Sequence, residues 1–482
     1  MTTALTTLAK QLGVSETVGT LENVSLTRAT ADSRKVEPGD LYCCVAGSSA
    51  DGHDFAADAV AAGASALLVD HALDLDVPQL VVNRSQLRHT MAVAAHFLKG
   101  NPAASLTMCG VTGTNGKTTV TQMLGAIMRV AGKPVTVIGT LTGSRTTPEA
   151  PDLAEYLGDA RDEAKAISES GLVAMEVSSH ALSLNRVDGV QFDVALFTNL
   201  SHDHLDFHGT MEEYFRAKAS LFTSERAKRA VIFVDDVYGA RLADGLEIPV
   251  VRVSMDLAEQ VDLGLSGSWF TWRQVRVHVP MPGLVNVANA LMALETATAL
   301  QVKPDVCASG IGAMTVVPGR LERVSGSGGS QPTVFVDYAH TPAGLKTVLT
   351  DVRNLMDGGA QLQVVFGCGG DRDRDKRPLM GEIAGQLADR VIITSDNPRS
   401  EDASSIAEAI VSGVHHNELN NVTVQLDRRR AIETAIREAG PRDVVVIAGK
   451  GHEHAQVVGE TVVPFDDAAV AKEALLALRG PA

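Results

Sequence analysis

The stretch CGVTGTNGKTTV, Cys109 to Val120, sets a lysine and two threonines directly behind spaced glycines. Gly113 and Gly116 let the backbone approach a phosphate, and a helix starting near Lys117 presents unpaired N–H groups to it. The Lys117 ammonium neutralises terminal phosphates, and the Thr118 hydroxyl is of the type that ligates Mg2+. The usual template of such loops places glycine five residues before Gly116. Val111 stands there, and the glycines fall at Gly110, Gly113 and Gly116. A glycine-rich strand-to-helix turn without ligand is the plain alternative. Strand, glycines, lysine and threonines in this order weigh against it.

Two further stretches carry ligand-type side chains. In AMEVSSHALSLNRV, Glu176 ends a strand-like run and is followed by two serines and a histidine. In FTNLSHDHLDFHGT, His202, Asp203, His204, Asp206 and His208 crowd together. No H-E-x-x-H helix or cysteine accompanies them, which speaks against structural zinc. Hard oxygen ligands such as Glu176 favour Mg2+ beside a triphosphate loop, with room for one imidazole. His202 and His208 read as solvated loop residues.

The elements that must position these groups are clearest in the last third. TVFVDY, QLQVVF, RVIITS, NVTVQL and DVVVIA read as buried strands, with helical segments between them, so the alternation predicts a parallel, doubly wound sheet. In such sheets ligands bind at the carboxyl ends of the strands. DYAHTP, GCGGDRDRDKRP, DNPRSED and GKGHE each follow a strand, so four polar clusters converge on one edge. The middle third opens as strand, loop and a helix over about 117–130, and the first hundred residues are mixed α/β. Breaks at LKGNPAAS and at the Gly/Ser-rich PGRLERVSGSGGSQP give domains at 1–100, 101–320 and 321–482.

The balance of 42 Lys and Arg against 58 Asp and Glu gives a formal charge of −16, which argues against nucleic acid as the main partner. Five cysteines without C-x-x-C spacing suggest reduced thiols. The opening MTTALTTLAKQLG has no basic segment or apolar core of a signal peptide, and no apolar run approaches the roughly 18 residues that span a bilayer. The expectation is a cytoplasmic monomer with no membrane partner.

GTNGKTT, EVSSHAL, TNLSHDHLDFHGT, PGLVNVANAL, PGRLE, DYAHTPAGL, GCGGDRDRDKRP, DNPRSED and GKGHE occur in the order seen in Mur ligases, and the chain resembles that family over nearly its whole length. The shifted glycines are usual there. The resemblance implies three α/β domains: an N-terminal UDP-binding domain, a central P-loop ATPase domain and a C-terminal Rossmann-like domain that binds the amino acid. It implies an ATP- and Mg2+-dependent, ADP-forming amide ligase of peptidoglycan precursor synthesis, acting through an acyl phosphate. DNPR and GKGHE point to addition of meso-diaminopimelate to UDP-N-acetylmuramoyl-L-alanyl-D-glutamate.

Residue by residue, the resemblance assigns Lys117, Glu176, His204 and Lys218 to catalysis and Thr118, Glu176 and His204 to metal. Lys218 matches a lysine that becomes carbamylated, which turns a cation into an anion. Gly113, Thr114, Asn115, Gly116, Lys117, Thr118, Thr119, Asn289, Arg320 and Asp337 match ATP contacts, although Asn289 alone reads as a helix-surface residue. Ala31, Ser33, Ser48, Ser49, Ala50, Thr146, Thr147, Ser178, Arg186 and Lys218 match contacts to the UDP-muramoyl dipeptide. Leu184 departs from relatives that place a polar contact there.

For the incoming amino acid, Arg399 offers a planar fork for a carboxylate, while Glu453 and the Gly449 carbonyl suit an ammonium. Arg372, Asp396, Asn397 and Pro398 complete that set. A further expectation is closure of the C-terminal domain over the ATP site, hinged near 320–332. A switch or motor NTPase is the rival from another class. The absence of an N-K-x-D motif and the clustered strand-end loops weigh against it.

Overall fold

The computed structural model describes residues 2–47, 50–143, 145–167, 170–324, 330–416 and 419–478. Three sheets are flanked by helices. The first has five strands, in the order Glu16–Val18, Gln79–Val81, Ala66–Val69, Asp40–Cys43 and Arg28–Thr30, and only its outermost pair is antiparallel. The second has six parallel strands, in the order Val250–Val253, Ala230–Phe233, Val194–Phe197, Thr107–Thr112, Leu172–Glu176 and Val135–Ile138. The third runs Glu322–Arg323, Thr333–Asp337, Val444–Ala448, Leu362–Phe366, Arg390–Ile393 and Val422–Val424, with all but the first strand parallel.

The third sheet shows why its strands read so clearly. Along Thr333–Asp337, Phe335 faces a core built with the helices Pro342–Leu355, Lys376–Leu387 and Ala403–Val411. Val334 and Val336 face the opposite core, against Arg428–Glu438 and Asp467–Ala477. Both faces are covered, so inner strands are largely apolar on both sides, with Gln363 a buried exception. Val422–Val424 corrects one expectation: it is an edge strand, and Val424 is 48% exposed rather than buried. The sequence reading also passed over the two outer strands of the second sheet and an antiparallel meander, Glu259–Gly264, Gly267–Trp272 and Val275–Val279.

Arg428 and Asp467 clamp the starts of two helices. Both side chains are fully buried and joined by two bonds of 2.7 and 2.6 Å, while Arg428 also donates to the Ala448 carbonyl at 3.0 Å. No helix among the described residues is long and apolar enough to cross a membrane.

Backbone packing groups the chain into two compact units. One comprises Met1–Gly113, Met128–Asn199 and Glu212–Val253; the other comprises Thr114–Ile127, Leu200–Met211 and Ser254–Ala482.

Candidate active site

In the first unit, strand Thr107–Thr112 lies between Leu172–Glu176 and Val194–Phe197, with Glu176 level with Val111. The glycine loop therefore leaves the sheet beside a buried carboxylate. Glu176 is 1% exposed; Oε1 accepts the Thr140 N–H at 2.8 Å and Oε2 the Thr140 hydroxyl at 3.2 Å. Gly113 has φ +146°, and a Cβ there would sit 1.9 Å from the Thr198 hydroxyl, so only glycine fits. Lys218 is buried, donates to the Gly113 carbonyl at 2.8 Å and lies 4.6 Å from the Tyr214 ring centre.

The same unit holds a cavity of about 960 Å³ whose walls include Ala31, Ser33 and Ala50. Ser48 and Ser49 lie outside the described residues. Arg88, Arg145 and Arg186 crowd one carboxylate, Glu149, with Arg186 at 2.7 Å and Arg88 at 3.7 Å. Three guanidiniums against one acid leave positive charge for an anionic ligand. Burial pulls the Arg186 pKa below its ordinary value. Thr147 ties this cluster to Glu176: its hydroxyl donates to the Glu176 carbonyl at 2.9 Å and accepts the Ser178 N–H at 3.0 Å, and its own carbonyl accepts from Arg186 at 3.2 Å. The Thr146 and Thr140 hydroxyls are 3.0 Å apart. Leu184 caps the short helix Ser179–Ser183.

In the second unit, helix Lys117–Val130 begins straight after Gly116. Lys117 Nζ donates to the Thr114 carbonyl at 2.8 Å. The Ser201 N–H donates to the Thr114 hydroxyl at 3.0 Å. Thr118 and Thr119 are buried and Asn115 is exposed. The Thr118 hydroxyl accepts from Arg320 at 3.3 Å, and the Arg320 guanidinium lies 4.6 Å from the Tyr338 ring centre. Asp337 accepts the N–H groups of Leu321 and Ala339, both at 2.7 Å; burial raises its pKa against the pull of Arg320.

His204 has φ +53°, an uncommon backbone for a non-glycine residue and one that clusters at functional sites. Beside it, burial pushes the Asp203 carboxyl up, but His204, His340 and Lys117 outweigh this and hold it below its ordinary pKa. Two sequence expectations are corrected here. His208 is buried, 8% exposed, with its ring edge-on to Phe207, whereas His202 is exposed as expected. Asn289 is not on a helix surface: it is 4% exposed in the largely buried helix Leu284–Ala299 and donates to Asn286 at 3.3 Å. Sequence reasoning also missed Tyr338, His340 and His452: both imidazoles pack at a tilt against the Tyr338 ring, which also meets the Arg320 guanidinium. Burial draws the His452 pKa down to about 4, so that ring is neutral at physiological pH. Their signal was present in the strand-end stretches DYAHTP and GKGHE.

The four strand-end loops do leave one edge, because their strands are consecutive neighbours in the third sheet. Arg399 follows Arg390–Ile393 with φ +52°, donates to the Gly370 carbonyl at 2.6 Å, and is pinned by backbone bonds to Val457 and Gly459. A Cβ on Gly370 would meet the Pro398 carbonyl at 1.9 Å. Lys450, which the sequence reading passed over, is fully buried at the centre: Nζ lies 3.0 Å from Asn397 Oδ1, 3.1 Å from Glu453 Oε2 and 3.5 Å from Asp396 Oδ1. Asn397 also donates to Glu453 at 2.8 Å. Glu453 Oε2, expected to receive a ligand ammonium, thus already receives one from the chain. Gly449 has φ +111° and Arg372 is exposed.

The chain is similar to known proteins along its whole length. The Mur ligase family catalytic domain matches residues 26–100, the Mur ligase middle domain 111–297, and the glutamate ligase domain of Mur ligases 319–451. A UDP-N-acetylmuramoyl-L-alanyl-D-glutamate–2,6-diaminopimelate ligase of Syntrophomonas wolfei is 39% identical, covering 98% of this chain and 99% of its own. Proteins of the same name from Streptomyces coelicolor and Geobacillus kaustophilus are 41% and 42% identical, over 99% and 94% of this chain and 97% and 95% of their own. A solved structure of a ligase of that name superposes with a TM-score of 0.68 at 29% identity over the whole of both chains. MurF ligase from Thermotoga maritima in complex with ADP gives 0.62 at 19% identity, covering 94% of this chain and 96% of its own, a likeness of fold. With full-length relatives at this identity and all three domains matched, the chain belongs to the Mur ligase family.

Proposed function

We propose that the chain is an ATP-dependent, ADP-forming ligase that adds meso-diaminopimelate to UDP-N-acetylmuramoyl-L-alanyl-D-glutamate in peptidoglycan precursor synthesis. The observation that carries this reading is the strand-end cluster of the second unit. Arg399 offers a guanidinium for a carboxylate, and Asp396 and Glu453, two acids around the single Lys450 ammonium, leave negative charge for a ligand ammonium. An amino acid whose far end bears both a carboxylate and an ammonium suits that set. The names of the full-length relatives support the same substrates.

In the reaction a carboxylate oxygen attacks the γ-phosphorus of ATP and ADP leaves. The amine then attacks the acyl carbon, phosphate leaves and the amine proton is lost. Side chains need to supply charge and position more than covalent chemistry. Lys117 exchanges its bond to the Thr114 carbonyl for phosphate oxygens. The Thr118 hydroxyl and His204 imidazole of one unit, and the Glu176 carboxylate of the other, are each of a donor type that Mg2+ accepts. That ion, when bound, offsets phosphate charge. The cavity of the first unit takes the UDP-sugar peptide against Ala31, Ser33, Ala50 and the arginine cluster. Carbamylation of Lys218, by CO2 on the neutral amine with loss of a proton, would turn the cation into an anion whose Nζ keeps one N–H for the Gly113 carbonyl and gains two acceptor oxygens beyond it. The acting species is a cytoplasmic monomer. The expected closing hinge includes residues 325–329, which lie outside the described residues.

ADP release with diaminopimelate, lysine and glutamate compared is the direct test. Only diaminopimelate should support rapid turnover, and equal rates with lysine would sink the reading. Arg399→Ala should raise KM for diaminopimelate about 30-fold, the lower end of the roughly 2–5 kcal/mol lost when one partner of a charge pair is removed, because Arg399 is only half-buried. KM for ATP should stay put.

Gly139→Ala probes Glu176. A Cβ there would lie 2.3 Å from Glu176 Oε1, so the carboxylate must move. Overpacking of this kind costs about 1–3 kcal/mol. Ligation should fall at least about tenfold, while circular dichroism remains native. Unchanged kcat would show that the position of Glu176 is immaterial.

A further inference from the structure

The turn Gly52–Phe55 and the end of strand Ala66–Val69 bring together groups that the proposed reaction does not use. His53, Asp70 and His71 each present one donor atom, and these atoms all lie within 4.8 Å of one another. His53 Nε2 is 3.2 Å from Asp70 Oδ1, and His71 Nδ1 is 2.5 Å from the same oxygen. The His53 and Asp70 side chains are each 8% exposed, and that of His71 is 63% exposed. On its far side, His53 Nδ1 lies 2.7 Å from Asp51 Oδ1. Asp51 therefore favours the tautomer with hydrogen on Nδ1, which leaves the Nε2 lone pair directed at Asp70. The Asp70 N–H approaches that lone pair at a long 3.4 Å. A carboxylate behind one imidazole nitrogen, with the other nitrogen available, is the arrangement that orients metal-binding histidines.

We propose that His53 Nε2, Asp70 and His71 Nδ1 form a binding site for one transition-metal ion, foremost Zn2+, with water as fourth ligand. Zinc bonds to nitrogen and oxygen of about 2.0–2.2 Å place tetrahedral neighbours about 3.3 Å apart. The His53–Asp70 spacing already matches. His71 now stacks on His53 with ring centres 4.7 Å apart, and its exposure leaves it room to tilt out of the stack and complete the set. Two imidazoles and one carboxylate suit zinc better than magnesium, which prefers oxygen throughout. Arg84 is the opposing charge, 3.8 Å from Asp70 and 4.0 Å from Asp51. It is 74% exposed and moves into solvent when the ion enters. The ion ties the turn to the strand end, and Gly52 and Phe55 of that turn also line the large cavity. Occupancy stiffens one wall of that cavity.

The test uses the full chain, stripped with chelator and titrated with Zn2+ by calorimetry in excess Mg2+ and ATP. Wild type should take up one equivalent saturably. His71→Ala, which removes an exposed ring and leaves the melting curve intact, should bind at least about tenfold more weakly. Asp51→Asn should lose about 10–100-fold through the orientation of His53. His415→Ala, an exposed histidine elsewhere, should change nothing. The Co2+-loaded wild type should show the strong visible bands of four-coordinate cobalt, and His71→Ala should not. Absence of a saturable equivalent in wild type, or equal affinity in His71→Ala, overturns the proposal. Either result leaves the ligase reading untouched, because no ligation is measured.

Discussion

Lys117→Met lowers the rate of ADP release at saturating substrates by about 10³-fold, at the upper end of the loss on removing one preorganised donor from a site of developing charge. Methionine keeps the length and the apolar stem, so helix Lys117–Val130 should hold and the melting curve should not move. Nζ is directed back along the loop, at 2.8 Å from the Thr114 carbonyl. Phosphate oxygens replace one acceptor by stronger ones, and the side chain need not be reordered. Asp203, held anionic in part by Lys117, loses that cation too. Single-turnover kinetics separate the effects: the chemical step falls, and ATP affinity changes less. A Lys117→Met rate within tenfold of wild type would remove the phosphate loop from the chemistry.

Asp467→Ala is expected to cost about 3–5 kcal/mol of stability, the price of leaving a buried guanidinium without its partner. Arg428 and Asp467 are both fully buried and doubly bonded, and no solvent screens the charge that remains. Urea unfolding followed by fluorescence gives the shift in midpoint. The double variant Arg428→Met with Asp467→Leu should recover most of the loss, because replacing a buried pair with apolar groups is often neutral. The Ala448 carbonyl, bonded to Arg428, immediately precedes Gly449, so the single variant should also raise KM for the amine. A shift below about 1 kcal/mol would mean that water reaches Arg428.

The sequence shows the third sheet plainly because both faces are covered. Val444–Ala448 is apolar at every position and needs no alternation to be recognised. The same logic misleads at Val422–Val424, where an apolar strand lies at the edge and is mostly exposed. The meander around Gly267–Trp272 escaped because only alternate residues are buried there, Ser268, Phe270 and Trp272, and a search for apolar runs passes over them. In the site, loops announced themselves through glycine, proline and charge. Lys450 did not, because a lysine after a strand reads as solvated, and its burial depends on Asp396 and Asn397 arriving from elsewhere in the chain to join the nearby Glu453. Asn289 failed for the matching reason: its helix is covered nearly all round.

The chain passes from one compact unit to the other at Gly113, Ile127, Asn199, Met211 and Val253. During synthesis, the segments Thr114–Ile127 and Leu200–Met211 leave the ribosome long before Ser254–Ala482, the stretch with which they pack. The lysine-bearing half of the phosphate loop must therefore wait for the carboxyl-terminal half of the polypeptide. Nucleotide affinity should therefore emerge only late in translation, once Thr114–Ile127 and Leu200–Met211 meet Ser254–Ala482.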